Sequence, residues 1–524
     1  MKLFLLLSLV LSLSSCTLFP EKNKKATLVY FADLHGHFNE HPELFWPPEG
    51  GNHSEVSVAG GVARMMTVVN KIKKENPTGV LFMDAGDTIQ GAAEVALSEG
   101  KVSTPILNAM DIDLAIPGNW EVVYGTKVFK ELARKANYPF LASNIREAKT
   151  KELVFRPYEI RELNGIRFAI IGYTDPDVPT RQPPSFSEGF IYEGSEVLQP
   201  LIDKIKSSHE VDVVVLLTHI GLPKAVGLAD KVKGVDIILS SDTHERTYEP
   251  IVKGNTWIVE PGAFGSFLGK LDIELTKEGK LKKKWELIEL KSRDFKADKK
   301  LSELVNKTLN PYRSKLDKKI GETQTTLVRY NVVETSLDAI LADALKEATG
   351  TDIALSNGFR FAYPIVPGPI VEGDLWSIYP INTQIKTGRL TGKQLKDFYE
   401  KEIENVFSEN YEKLFGGWLP RTSGLHIKFK VSNPPFHRIQ EMTVNGVPLD
   451  EKKYYTVTTC VREGDPDTTL CRIPNGKDIV IKDFDAHEAV RRYLKKHWPV
   501  IPPTLGRVEA IDLPETVRSQ YYRK

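Results

Sequence analysis

The 524-residue sequence predicts an α/β protein of two domains. Three observations carry that expectation. The chain is too long for one compact core. Across residues 27–290, short β-rich apolar runs alternate with longer amphipathic stretches, the pattern of layered helices and strands. A Lys- and Asp-rich stretch at residues 292–316 then separates this half from a unit of different composition. Lys plus Arg number 70 against 69 for Asp plus Glu, so overall charge gives no argument for a nucleic-acid polymer as partner.

In chain order, Lys2 precedes an almost unbroken apolar run at residues 3–13, followed by Ser14, Ser15 and Cys16. That is an export signal, too short to span a bilayer as a mature helix. Residues 17–26 read as a polar tether. The first domain, 27–291, holds strand-like runs at 28–31, 80–83, 168–171, 213–217, 235–239 and 257–259. Between the first two, Val62, Met65, Met66, Val69 and Ile72 follow helical spacing and predict a helix covering one face of the sheet. Residues 292–319 read as a solvated helical connector. The second domain, 320–516, has a helix at 336–348, a strand at 454–458 and a closing helix at 486–497. No internal repeat is found. Apart from Cys16, the cysteines Cys460 and Cys471 form an even pair in an oxidising compartment, either bonded as a disulfide or kept as two buried thiols.

Five strand ends in the first domain are followed within a few residues by metal-ligating side chains: Asp33 with His35, Asp87, Asn119, His219, and Asp242 with His244. In an open α/β sheet the carboxyl ends of the strands share one crevice, so these groups converge although they are far apart in sequence. Asp33 and His35 are two apart, which in extended backbone places both on one side. Mixed carboxylate, imidazole and amide ligands suit two divalent cations about 3.5–4 Å apart, and Asp87 is the natural bridge. Manganese is the expected ion, with magnesium or zinc as alternatives.

Leu13-Ser14-Ser15-Cys16 resembles a bacterial lipobox. The likeness implies a lipid attached to Cys16 and an exported, periplasmic, membrane-anchored protein; the alternative is an ordinary signal peptide cut elsewhere. Ala32-Asp33-Leu34-His35, Asp84-Ala85-Gly86-Asp87-Thr88, Gly118-Asn119, Leu217-Thr218-His219 and Asp242-Thr243-His244 resemble the calcineurin-like metallophosphoesterase superfamily, specifically its two-domain 5′-nucleotidase family. The resemblance implies a four-layer amino-terminal domain and a carboxyl-terminal α/β substrate domain. It also implies one ion on Asp33, His35, Asp87 and His244 and another on Asp87, Asn119, His219 and residue 242. The family usually has histidine at 242. Aspartate there can ligate and hardens the site towards manganese or magnesium, or it can hydrogen-bond a ligand instead.

Phosphate-ester members read Gly-Asn-His-Glu where this chain has Trp120. Indole cannot perform that histidine's proton chemistry, whereas a thiol, with a free pKa of about 8.5, leaves readily as its anion. Gly118-Asn119-Trp120-Glu121 with Tyr124-Gly125, Pro183-Pro184-Ser185-Phe186 with Glu188-Gly189, and His219-Ile220-Gly221-Leu222-Pro223 resemble the thiosulfohydrolase branch of the bacterial sulfur-oxidising (Sox) system. So do Ser356-Asn357-Gly358-Phe359-Arg360, Asp374-Leu375-Trp376 and Arg462-Glu463-Gly464-Asp465-Pro466. That likeness implies a partner protein carrying a sulfonate on a cysteine persulfide, hydrolysed to sulfate by a hydroxide between the ions. Asp87, Asn119 and Trp120 would be catalytic, and Tyr124, Asn357, Gly358, Arg360 and Arg462 would hold substrate. Either arginine can instead serve only in salt bridges. Nucleotide-cleaving relatives stack a base between two aromatics, but the corresponding segments, Tyr379-Pro380-Ile381-Asn382 and Glu463-Gly464-Asp465-Pro466, lack that clamp. The competing readings are a 5′-nucleotidase or UDP-sugar phosphoesterase, and a non-catalytic surface lipoprotein.

Overall fold

The computed structural model describes residues 23–47, 54–414, 417–470 and 472–513. The leader, Cys16 with its expected lipid, and Cys471 with its expected link to Cys460 lie outside the described residues.

Strand Lys24–Phe31 lies between Phe267–Leu275, antiparallel, and Val80–Asp84, parallel, in a five-stranded sheet closed by Leu281–Glu289 and Leu114–Ala115. A six-stranded sheet is built around Val213–His219, parallel to both Ile166–Thr174 and Ile237–Leu239. Successive strand residues point to opposite faces. Leu28, Tyr30, Leu81 and Met83 therefore meet Phe168, Ile170, Val215 and Leu217 between the sheets. Their neighbours Val29, Phe31 and Phe82 turn outward beneath helix Val62–Glu75. On the far side, Ala169, Ile171, Val214 and Leu216 pack under helices Leu198–Ser208 and Leu222–Lys231. The result is four layers, α-β-β-α. Strands buried on both faces read as unbroken apolar runs, which is why the sequence exposes them.

Two expectations are corrected. The run at 235–239 yields a strand only over Ile237–Leu239, because pairing with Val215–Leu217 starts at Ile237 and the Asp236 carboxylate accepts the Val214 amide at 2.9 Å. The connector is solvated on one side only. Its helix, Lys299–Leu316, is capped by Asp298, whose carboxylate accepts the Leu301 amide at 2.8 Å, and it buries Leu301, Val305 and Leu309 in the helix-side core of the first domain. Those residues fall at i, i+4 and i+8, a stripe narrow enough to be overlooked among the lysines.

The second domain has a five-stranded sheet in the order Arg421–Ser423, Ile353–Ser356, Tyr454–Cys460, Gln384–Thr391, Lys477–Asp485. Helix Ser336–Thr349 starts at the Thr335 cap and stops at left-handed Gly350 (φ +68°), and helix Ala486–Lys496 starts at the Asp485 cap. Among the described residues, no helix is long and apolar enough to cross a membrane.

Candidate metal centre

Asp33 and His35 follow strand Lys24–Phe31, Asp87 follows Val80–Asp84, and Asn119 follows Leu114–Ala115. His219 ends Val213–His219, and Asp242 and His244 follow Ile237–Leu239. The structure brings all seven together, each at most 4% exposed. They do not meet as extended chain. Asp33, His35, Asp87, Asp242 and His244 have φ of +50°, +48°, +56°, +88° and +58°, so tight left-handed turns aim them inward. Such backbone costs about 1–3 kcal/mol per residue and persists where surrounding structure enforces it, as at functional sites. The loops also touch through glycine: a Cβ on Gly118 would lie 2.2 Å from Asp87 Oδ1. Glu121, whose role sequence reasoning missed, accepts the amides of Asp87, Thr88 and Gly118 at 3.0, 2.7 and 2.6 Å and ties these turns together.

The ligating atoms of Asp33, His35 and His244 lie within 4.8 Å of one another, as do those of Asp33, Asp87 and His219. Asp33 is common to both groups. Asp87 Oδ2 lies 3.8 Å from His35 Nε2 and 3.2 Å from His219 Nε2, so it also faces both. The ring tautomers follow from outer partners. His35 Nδ1 donates to the Gln90 carbonyl at 2.9 Å and His219 Nδ1 to that of Ala85 at 2.7 Å, which leaves both Nε2 atoms as lone-pair donors pointing inward.

Nitrogen and oxygen atoms able to offer lone pairs converge here. His35 Nε2 faces His244 Nε2 at 3.1 Å, and the Asn119 side-chain oxygen points at His219 Nε2 at 3.2 Å. Without a cation, the Asn119 amide would do better turned over, donating to Asp87 Oδ2, His219 Nε2 and Asp242 Oδ1 at 3.2, 3.2 and 3.1 Å. With a cation among these acceptors the inward oxygen can ligate, and the outward nitrogen then faces the Trp120 Nε1 and Gln182 Nε2 donors at 3.2 and 3.1 Å. Burial pushes the Asp33 carboxyl well up, with Asp87 adding to the rise, and pushes His35 and His244 down. Burial also acts to lower His219, but Asp87, Asp33 and Asp242 outweigh it and push it up. The clustered carboxylates thus favour a positive charge among them, which a metal ion supplies. The donor set therefore fits divalent cations.

Asp242 is different. Burial works to raise its carboxyl, yet Arg181 and then Arg360 overcome this and leave it below the usual carboxylate range. Arg181 Nη2 donates to Asp242 Oδ1 at 2.9 Å and Nη1 to Oδ2 at 3.2 Å.

The second domain covers the centre. Tyr330 Oη donates to the His244 carbonyl at 2.7 Å, Arg360 donates to that of Asp242, and Arg462 Nη2 donates to those of Thr180 and Gln182, both at 3.0 Å. Between the domains lies a cavity of about 280 Å³ lined by His35, Asp87, Asn119, Trp120, Arg181 and Arg360, with Phe359, Phe361 and Trp418 from the second domain. The Trp120 ring meets Phe359 and Phe361 edge-on, at 5.8 and 5.7 Å between centroids.

Residues 26–246 match the calcineurin-like phosphoesterase model and residues 316–460 the 5′-nucleotidase C-terminal domain model. The chain belongs to the two-domain 5′-nucleotidase family. Family members include the trifunctional nucleotide phosphoesterase protein YfkN of Bacillus subtilis (strain 168), 26% identical over 509 residues, 86% of this chain but 34% of YfkN. The chain thus spans about a third of that relative. The 5′-nucleotidase of Mus musculus is also 26% identical, over 86% of this chain and 85% of its own. Among solved structures, the sulfate thiohydrolase SoxB of Thermus thermophilus superposes with a TM-score of 0.82 at 23% identity, covering 95% of this chain and 99% of that one. A 5′-nucleotidase precursor, also from Thermus thermophilus, gives 0.80 at 24%, covering 94% and 100%. At these identities the likeness to the two structures shows the fold. The family makes the chain a metal-dependent hydrolase of the metallophosphoesterase type, whose fold implies two divalent ions.

Not every family-based substrate candidate sits where expected. Tyr124 does not line the cavity; its buried hydroxyl lies on the Glu99 side of the loop, where burial and then Glu99 push the phenol up. Arg462 lines the cavity, but its donors go to Asp465, Thr180 and Gln182, so it joins the domains. Asn357 and Gly358 line it as framework: Asn357 Oδ1 accepts from Arg329 at 2.8 Å, and the Gly358 carbonyl accepts the Trp418 amide at 2.7 Å. Arg360 is 8% exposed, and its Nη1 has no hydrogen-bond partner among the described residues. Sequence reasoning missed Arg181 because its place depends on a short turn after Asp175 that has no periodic signature.

Proposed function

We propose that the protein is a thiosulfohydrolase that releases sulfate from a sulfonate carried on a protein cysteine persulfide, exported and lipid-anchored through Cys16. The observation that carries this reading is Trp120. It immediately follows the ligand Asn119, and its ring edge is packed with Phe359 and Phe361, so the leaving atom meets an aromatic wall where a proton-donating imidazole would otherwise stand. A persulfide sulfur leaves as its anion without a proton, as an alkoxide does not. In the reaction a water oxygen bonds to the sulfonate sulfur, the S–S bond breaks, and its electron pair departs on the terminal persulfide sulfur. Sulfate and two protons are released, and the carrier is left as its persulfide anion.

Two divalent ions, when bound, supply Lewis-acid stabilisation and water activation. The chain's own groups do the rest. Asp33, His35, Asp87, Asn119, His219 and His244 would hold the ions, with Asp242 as a further, weaker oxygen donor to one of them. Arg360 offers a buried, unpaired guanidinium nitrogen at the cavity wall, suited to a sulfonate oxygen. Trp120, Phe359 and Phe361 exclude water from the departing sulfur.

A second reading, a 5′-nucleotidase or UDP-sugar phosphoesterase, draws support from Phe359. It is 39% exposed within the cavity lining and offers one face to a base, and relatives at 26% identity carry nucleotide-cleaving names. Tyr379 cannot complete a clamp, because it is buried and its hydroxyl is hydrogen-bonded to Ser356 at 2.6 Å. Sulfate release from a carrier-protein cysteine S-thiosulfonate, measured beside AMP and UDP-glucose hydrolysis in manganese buffer, separates the readings. Fast sulfate release with slow nucleotide cleavage supports the first; the opposite order rejects it.

A further inference from the structure

We infer that Arg181 is the counter-ion of Asp242 and sets how tightly the second of the two cations is held. This rests on the two-cation reading of the centre. Arg181, with a side chain 11% exposed, grips both oxygens of Asp242, at 2.9 and 3.2 Å. The oxygen it grips more closely, Oδ1, is also the one that faces the cluster, 3.1 Å from the Asn119 amide and 3.9 Å from His219 Nε2. A guanidinium and a metal ion therefore compete for one carboxylate oxygen. The guanidinium withdraws electron density from that oxygen and repels the ion, so Asp242 is a weaker ligand than Asp33 or Asp87, neither of which has an arginine partner among the described contacts.

Arg181 cannot easily turn away. Nη1 is also bound by the fully buried Asp175, which Lys224 balances from the other side at 3.4 Å while holding Asp177 at 2.7 Å. Charges alternate along Lys224, Asp175, Arg181 and Asp242. On either side of Arg181, the Thr180 and Gln182 carbonyls are held by Arg462 of the second domain, and Gln182 Nε2 donates to the Asn119 carbonyl at 2.6 Å. The segment is fixed to the metal loops and to the other domain, so the competition is built in. Arg181 acts through Asp242 and is a positioning residue.

Manganese binding to the chelator-stripped full-length protein, followed by calorimetry and by loss of the free-ion paramagnetic resonance signal, tests this without reference to turnover. The wild type should bind two ions, one more weakly. Arg181→Met should tighten the weaker site by about tenfold, the order of one charge-assisted hydrogen bond, and leave the tighter site unchanged. Arg181→Lys keeps the charge but not the fork and should tighten it by about threefold, which also provides the test if the Met variant does not fold. In an Asp242→Asn background, which itself weakens the second site, removing Arg181 should change nothing. Weaker or unchanged binding in the folded Arg181 variants, or an equal shift when Asp242→Asn is already present, overturns the inference. A wild type that binds no second ion instead rejects the two-cation reading beneath it.

Discussion

Trp120 donates its main-chain amide to Asp87 Oδ1 at 2.8 Å and presents its ring to the cavity, so one residue both steadies a carboxylate of the cluster and walls the cavity beside it. Because only the side chain bears on the leaving group, Trp120→His should leave metal loading intact. It should raise phosphomonoester hydrolysis by about 100-fold relative to sulfate release, the order contributed by a positioned proton donor. Steady-state rates on AMP and on the carrier S-thiosulfonate check this; an unchanged ratio would remove Trp120 as the determinant of leaving-group chemistry. The cluster of seven side chains was legible in the sequence because only a few side-chain types ligate hard ions and each follows a recognisable strand. Their left-handed turns were not, since φ follows from the close approach of loops such as Gly86 to Gly118. Tyr124 is a different case: the likeness of Tyr124-Gly125 to the thiosulfohydrolase branch implied that it holds substrate, yet it does not line the cavity and its hydroxyl lies on the Glu99 side.

Among elements, the strands were read well because burial on both faces leaves β-branched and aromatic runs. The helix Lys299–Leu316 was misread because four buried apolar residues are spread through eighteen. Its packing makes a sharp prediction. Leu309 is 2% exposed in the first-domain core, so Leu309→Ala should destabilise the protein by about 2–5 kcal/mol in urea denaturation. A solvated connector would show less than about 0.5 kcal/mol. Helix Ala486–Lys496 carries a second consequence. His487, buried in its first turn, bonds the Tyr379 carbonyl through Nε2 at 2.9 Å, and burial lowers its pKa below the ordinary 6.5. The unfolded chain therefore takes up a proton near that pH while the folded one resists it. This contribution to stability is full above the unfolded pKa and is lost as pH falls below it. Denaturation midpoints between pH 7 and 5, at fixed manganese, should fall with pH, and more shallowly for His487→Gln; an identical slope would assign the dependence elsewhere.

For the molecule as a whole, the sequence indicated two domains but not how they meet. That depends on single contacts between distant segments: Tyr330 on the His244 carbonyl, Arg360 on that of Asp242, and Arg462 on Thr180 and Gln182. These place the apolar wall of one domain over the ligands of the other, and the cavity exists only because both contribute. The proposed function depends on cations held among those side chains. The most direct measurement is anomalous diffraction at the manganese edge from crystals of the full-length protein grown with Mn²⁺. Two peaks about 3.5–4 Å apart should appear among Asp33, Asp87 and His219, one beside His35 and His244 and the other beside Asn119. No peak there, with manganese bound elsewhere or not at all, would contradict the account.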